Sequence, residues 1–434
     1  MIMTIYTVKR GDTLYSIAKK HATTVAMLAN DNGISKDDIL TVGQDLVIRK
    51  PELTYVVRSR DTLGGIAAMF GLTSKTLFRN NPFLMGNENT KLLPGEELVI
   101  QGEKTTQGQV SVTGYAYPFI AEGNLRAVLP FLTYLGVFSY GIQEEDASLV
   151  GIDDGKMLKM AEAYDVTPIM MLTTVNSTGT FRSETAVKVL SDADFQKKLI
   201  ENVRNAVKEK GYGGVEVDFE YVPPQYAEEY AGFIDELRSA LAVYGKVVFA
   251  DLAPKTSSNQ PGLLYEAHDY GLMGDAADRL LLMTYEWGYT YGPPMAVAPL
   301  PNVRRVVEYA TTEIPSFKLR LGIPNYGYNW TLPFIKGKSK AKSLSHQEAL
   351  YLAKEKHAEI HFDEKARAPY FIYYDKNNGE TMEHIVWFEN ARSLYEKLLL
   401  VSEYKLNGAG IWTVMKPFVP FWTLLATLFQ IDNE

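Results

Sequence analysis

The stretch Gly213-Gly214-Val215-Glu216-Val217-Asp218-Phe219-Glu220 alternates apolar and acidic residues with a period of two. Such a period places Val215, Val217 and Phe219 on one face of a β-strand and Glu216, Asp218 and Glu220 on the other. Which face is inside depends on the surroundings. Seven further apolar runs occupy 112–118, 131–141, 166–174, 246–254, 279–287, 319–327 and 408–414. Amphipathic stretches such as 192–211 and 225–245 lie between them. Eight strands, each leading into a helix, predict an α/β protein of the (β/α)8 TIM-barrel type, because parallel strands need helical crossovers and eight such units can close. A doubly wound sheet would want a glycine-rich phosphate loop after its first strand, and Gly114-Tyr115-Ala116-Tyr117-Pro118 is not one.

Helices cover the outside of a barrel, so the apolar face of 213–220 is expected to meet them. The three carboxylates then point into the interior, where Val, Ile and Leu are usual and an unpaired charge is costly. Lys246 and Arg279 stand at strand starts, the wrong end to neutralise these acids, so the reading favours chemistry over a structural ion pair. Like charges in poor solvent push at least one carboxyl pKa upward, which keeps an acid protonated near neutral pH. Glu220, nearest the C-terminal end of its strand, is the general-acid candidate. Between the seventh and eighth runs the chain is too long for one crossover. A helix near 345–356 and strands within 358–362, 369–375 and 383–389 predict a small α/β insertion at about 331–389.

Ahead of the barrel the chain repeats itself. The segment from Tyr6 aligns with that from Tyr55, matching Val8 with Val57, Asp12 with Asp61, Thr13 with Thr62, Leu14 with Leu63, Ile17 with Ile66 and Leu28 with Leu77. Each copy closes on a glycine and Leu-Val-Ile, and each reads as a βααβ module with Asp12 or Asp61 as helix N-cap. The boundaries expected are 4–50 and 53–101 for the modules, 102–109 for a polar linker separating independent cores, and 110–434 for the barrel.

Composition narrows the chemistry. Of 434 residues, 44 are basic and 52 acidic, and a formal charge of −8 disfavours a nucleic-acid partner. There is no cysteine, which removes thiolate chemistry and disulfides. The six histidines are scattered without an HExxH pattern, so neither a metal nor another cofactor is expected. No apolar window reaches the roughly 20 residues of a spanning helix, and Met1-Ile2-Met3-Thr4-Ile5-Tyr6 followed by Lys9 and Arg10 does not read as a secretory signal. A soluble monomer made in the cytoplasm, with no membrane partner, is the expectation.

The two repeats resemble LysM domains, which bind glycans containing N-acetylglucosamine. That resemblance implies glycan contacts at Gly11, Asp12, Thr13, Asp61 and Thr62, and Arg60 in place of a glycine is expected to restrict the second copy's backbone. The strand at 213–220 and the barrel around it resemble glycoside hydrolase family 18, whose fourth strand reads DxxDxDxE. Gly213 departs from the first position, Glu216 is a homologous acid at the second, and Asp218 and Glu220 match. Met283-Thr284-Tyr285-Glu286 resembles the family's Met-x-Tyr-Asp, 322–327 its seventh strand, and Trp412 the tryptophan beneath the −1 sugar.

The resemblance implies Glu220 as acid, Asp218 and Tyr285 as catalytic groups around the substrate acetamide, and Trp412, Met283, Glu286, Asn325, Tyr326 and Glu216 as substrate-binding residues. Substrate-assisted chemistry of this kind needs no second carboxylate as nucleophile. The whole combination is similar to spore-cortex N-acetylglucosaminidases of Bacillus. It implies peptidoglycan or another N-acetylglucosamine-containing glycan as partner, β-1,4 cleavage during germination, and a place at the spore coat or cortex surface. Chitin hydrolysis and non-catalytic glycan binding are the alternatives.

Overall fold

All eight apolar runs form strands, here β1 (Gln109–Ala116), β2 (Tyr134–Ile142), β3 (Thr167–Thr173), β4 (Gly214–Asp218), β5 (Val247–Leu252), β6 (Arg279–Leu282), β7 (Leu319–Pro324) and β8 (Gly408–Trp412). Each pairs in parallel with the next, and β8 pairs with β1, so the sheet closes into a barrel. The structure, a computed structural model, describes residues 3–86, 92–102, 107–176, 179–377 and 380–432. Residues 103–106 of the expected linker lie outside the described residues.

The helices form where the sequence provides both stripe and stops. Helix Ala193–Lys210 begins where the Asp192 carboxylate accepts from the Phe195 amide. It ends at Gly211, whose φ of 78° suits a left-handed cap, and it buries Phe195, Leu199, Val203 and Val207 at intervals of four. Helix Ala227–Ala242 covers the outer face of β4. There the Phe219 ring stacks on Tyr230 and Phe233, each with ring centres 5.6 Å away. Val215, Val217 and Phe219 are fully buried beneath these helices. Tyr134, Ile169 and Phe249 pack together inside the barrel and fill its interior as a core.

The insertion is a five-stranded antiparallel sheet in the order 342–344, 327–332, 380–387, 368–377, 361–363. It carries helix His346–Glu355, held at its start by a capping box between Ser345 and Glu348. Two of these strands, Gly327–Leu332 and Lys342–Leu344, escape the sequence reading. The first begins two residues after β7 and so merges with it as one apolar run.

Both N-terminal modules are βααβ units. Strand Met3–Thr7 pairs antiparallel with Asp45–Arg49, and Pro51–Val56 pairs with Glu97–Gly102. The helix caps are Thr13 and Thr62 rather than Asp12 and Asp61, as the threonine hydroxyls accept from the Ser16 and Gly65 amides. The aspartates staple the preceding loop instead. Asp12 accepts from Tyr6 Oη and the Lys9 amide, and Asp61 from Tyr55 Oη and the Arg58 amide. Arg60 takes the left-handed conformation of Gly11, with φ of 74° against 88°, so the second copy keeps the loop shape despite losing the glycine.

The modules are not independent of the barrel. Helix Val419–Leu428 buries Val419, Pro420, Phe421, Trp422, Leu424, Leu425 and Leu428, a pattern apolar on every side that demands cover all round. The Phe78 ring of the second module packs on Phe131, which also contacts Trp422, so module and barrel share one apolar core. Polar ties reinforce it: Arg79 Nε donates to the Pro130 carbonyl at 2.6 Å, Thr423 Oγ1 to the Asp31 carbonyl at 3.0 Å, and Asn390 Nδ2 to Asp45 Oδ2. Gly43 lies so close to Ile360 that an added Cβ would stand 1.8 Å from its carbonyl oxygen.

Candidate active site

At the C-terminal mouth of the barrel a cavity of about 130 Å³ is lined by Asp218, Glu220, Asp251, Met283, Tyr285, Glu286 and Trp412, with Tyr115, Phe138, Met171, Phe181 and Leu281 completing its wall. Strand ends and the loops just beyond them deliver the polar side chains: Glu220 follows β4, and Met283, Tyr285 and Glu286 follow β6. Asp218 ends β4, Asp251 lies on β5, and Trp412 ends β8. The Trp412 ring is braced by Phe138 at 5.0 Å and by Tyr115 and Tyr117 at 6.0 Å, which fixes one aromatic face toward the cavity. A second cleft of about 510 Å³ shares Glu286 and Trp412 with the first and runs between the barrel and the inserted sheet. Its wall includes Asn325, Tyr326, Tyr328, Glu348 and Lys416.

Electrostatics separates the acids. Burial, then the carboxylate of Glu286, pushes the Glu220 carboxyl up to about 7, so it still holds a proton near neutrality. Asp218 is raised well above the usual carboxylate range by burial and by the charges of Glu220 and Glu216. Asp251 is raised likewise, by burial and by Glu216 and Asp218. The Tyr285 phenol is held neutral by burial and by Asp251 and Asp218. Among the described residues it donates to no protein group, which leaves its hydroxyl for a ligand. Glu286, at φ of 65°, accepts from the hydroxyls of Tyr326 and Tyr328.

Of the nine barrel residues singled out from sequence, Glu220, Asp218, Tyr285, Met283, Glu286 and Trp412 meet in the inner cavity. Asn325 and Tyr326 line the adjoining cleft. Asn325 Nδ2 donates to the carbonyls of Thr413 and Lys416, so it shapes the rim. Glu216 reaches neither space. It is fully buried, and its Oε1 accepts from Arg320 Nη2 at 2.6 Å and from Tyr115 Oη at 2.8 Å. It therefore supports the site from below instead of touching a ligand. Arg320 is the interior cation that the sequence reading overlooked: it is second in β7, and alternation in Leu-Arg-Leu-Gly-Ile-Pro turns it inward. Asp251 was missed as well, although Phe249-Ala250-Asp251 gives the same inward signal.

In the modules, Gly11, Thr13 and Thr62 are exposed and Asp12 and Asp61 partly so. The aspartates and threonines are already engaged in the loop staples and caps described above. Among the described residues no cluster of His, Cys, Asp and Glu is arranged to hold a metal ion, and no helix is long and apolar enough to cross a membrane.

Comparison with known proteins agrees with this architecture. The model of glycosyl hydrolases family 18 matches residues 132–416, and the LysM domain model matches 6–49 and 55–101. The cortical fragment-lytic enzyme of Bacillus subtilis is 37% identical over 100% of this chain and 99% of its own. The enzyme of the same name from Bacillus anthracis is 33% identical over 99% of both. The crystal structure of the Bacillus cereus spore cortex-lytic enzyme SleL superposes with a TM-score of 0.83 at 33% identity, covering 100% of this chain and 99% of that one.

Proposed function

This chain belongs to glycosyl hydrolase family 18, carries two LysM domains and is a glycosidase, and from that premise we propose that it hydrolyses spore-cortex peptidoglycan. The bond cleaved is the β-1,4 linkage after N-acetylglucosamine, with retention and with help from the substrate's own acetamide. The observation that carries this reading is the inner cavity: a carboxyl titrating at about 7 shares it with Asp218, with a phenol free to donate, and with an aromatic floor.

Glu220 protonates the leaving oxygen while the acetamide carbonyl attacks the anomeric carbon. Asp218 orients the acetamide N–H and balances the positive charge that develops on the ring closed by that attack. Tyr285 donates to the carbonyl oxygen, and Trp412 packs on the axial C–H face of the sugar. Water then opens the ring with Glu220 acting as base. No other cavity carboxylate is placed as a nucleophile. Glu286 is held by two tyrosines, and Asp251 lies in lateral register with Asp218, down in the strand. The names of the two Bacillus relatives support cortex fragments as substrate, and by the same reading the protein works as a monomer at the spore coat or cortex surface.

Two measurements test the reading. Glu220→Gln should keep the fold and lower turnover by about 10² to 10⁴, the usual contribution of general acid–base catalysis. Product analysis on acetylated and de-N-acetylated cortex fragments, with chitin oligomers in parallel, should show cleavage only where the −1 sugar carries its acetamide. Equal cleavage of de-N-acetylated glycan would refute substrate assistance, and faster turnover of chitin would replace the substrate.

A further inference from the structure

Strand β4 ends at Asp218. Its last lateral partners are Thr173 for Asp218 and Ala250 for Val217, so the Phe219–Glu220 segment lies past the sheet and the ladder does not fix it. Buried backbone groups are costly when unpaired, so they must find partners elsewhere. Side chains supply them. The Phe219 amide donates to Tyr230 Oη at 3.3 Å, and the Phe219 carbonyl lies 3.2 Å from His268 Nε2. On the other side of Glu220, Tyr221 is held at a φ of 57°, with Ser183 Oγ donating to its carbonyl at 2.7 Å. A non-glycine residue stays in that left-handed region when its surroundings hold it there.

The tautomer of His268 follows from its other nitrogen. The Ala253 amide can only donate, and it meets Nδ1 at 2.9 Å. Nδ1 is therefore the acceptor, and the ring proton sits on Nε2, where it donates to the Phe219 carbonyl. The imidazole is buried, which lowers its pKa to about 4, so it is neutral and keeps both bonds at the pH where Glu220 titrates. The loop that carries the ring is itself tied down. Lys255 Nζ donates to the His268 carbonyl at 3.0 Å, and Tyr270 Oη accepts from the Lys255 amide at 3.0 Å and donates to the Ala253 carbonyl at 2.6 Å. From this fixed base beyond β5 one ring reaches across to the peptide unit that bears the acid, while lining neither of the two spaces at the barrel mouth.

We propose that His268 is a positioning residue that aims Glu220: by tying the peptide unit between Phe219 and Glu220 to the loop after β5, it holds the acid within reach of the leaving oxygen. The ring touches no substrate and gives up no proton. Its contribution is confined to the step in which Glu220 protonates the leaving group, because a catalytic group displaced by about 1 Å loses much of its effect. This rests on Glu220 as the acid of the mechanism above and adds to it a residue outside the acidic motif of β4.

The test compares kcat/KM for one glycan ending in N-acetylglucosamine and joined either to the next sugar or to 2,4-dinitrophenol, a leaving group that departs with little need of a proton. In the full chain, His268→Leu should lose roughly 10- to 100-fold on the sugar-linked substrate and less than about threefold on the aryl one. His268→Gln, whose amide can still donate to the Phe219 carbonyl, should recover most of the loss. His268→Asn, long enough only to accept from Ala253, should not. A general loosening of the fold would slow both substrates alike. Equal losses on the two leaving groups, or wild-type kcat/KM on the sugar-linked glycan in folded His268→Asn, overturn the proposal. Should His268→Leu fail to fold, the contrast between glutamine and asparagine decides alone. Glu220→Gln on the same two substrates judges the parent reading: if its loss is the same for both, Glu220 is not the acid. If its loss depends on the leaving group and that of His268→Asn does not, only the positioning role falls.

Discussion

At the scale of the residue, the proposed acid Glu220 is kept protonated by its surroundings rather than by its type. Glu220 was legible from sequence because three acids with a period of two have no ordinary place in a barrel interior. The source of its raised pKa was only half legible: Glu286 was read as a substrate-binding residue, and nothing in Met-Thr-Tyr-Glu announces that its charge acts on Glu220. The sign follows directly. A neighbouring anion raises an acid, so Glu286→Gln should lower the Glu220 pKa from about 7 and move the alkaline limb of kcat/KM to lower pH. A limb unmoved in that variant would mean that burial alone sets the acid. Tyr326 and Tyr328, which hold Glu286 in place, should shift the limb in the same direction when changed to phenylalanine only if the carboxylate swings away from Glu220.

At the scale of the element, β4 and β7 form one unit across the barrel. The eight strands and the helices between them were legible because their periods are plain, whereas the pairing of Glu216 with Arg320 was not, being a contact between residues 104 apart in sequence. Reading basic residues only at strand starts left Arg320 unexamined and made Glu216 look functional. The same blindness to partners placed the helix caps on Asp12 and Asp61, one residue early, since a cap is defined by which amide it meets. Arg320→Met should cost about 3 to 5 kcal/mol, the usual penalty for stranding a buried charge, and urea unfolding would read it. Replacing Glu216 by leucine in the same chain should recover much of the loss. If the single substitution proves neutral, the buried pair is not what holds β4 to β7 and the interior is wetter than its burial implies.

At the scale of the whole molecule, sequence suggested beads on a string and the structure gives a single body. The run 418–429 is too short to span a membrane, and its place in the fold explains its apolar character on all sides: it is the helix that both modules and the barrel cover. Deleting 1–101 should therefore uncover side chains such as Phe131 and Trp422, each worth about 1.5 to 3 kcal/mol of burial. The truncated barrel should aggregate or melt well below the full chain, which should itself unfold in one transition. A soluble, fully stable barrel after truncation would show the shared core to be dispensable. The rigid docking also changes what the LysM domains can do for hydrolysis. A module on a loose tether raises the local concentration of any bond within its sweep, but one fixed to the barrel serves only bonds at a set vector from the sugar it grips. Glycan held by the modules would thus be presented to the cleft in a fixed register, like stock against a stop, and the number of sugars between anchor and cut becomes a property of the fold.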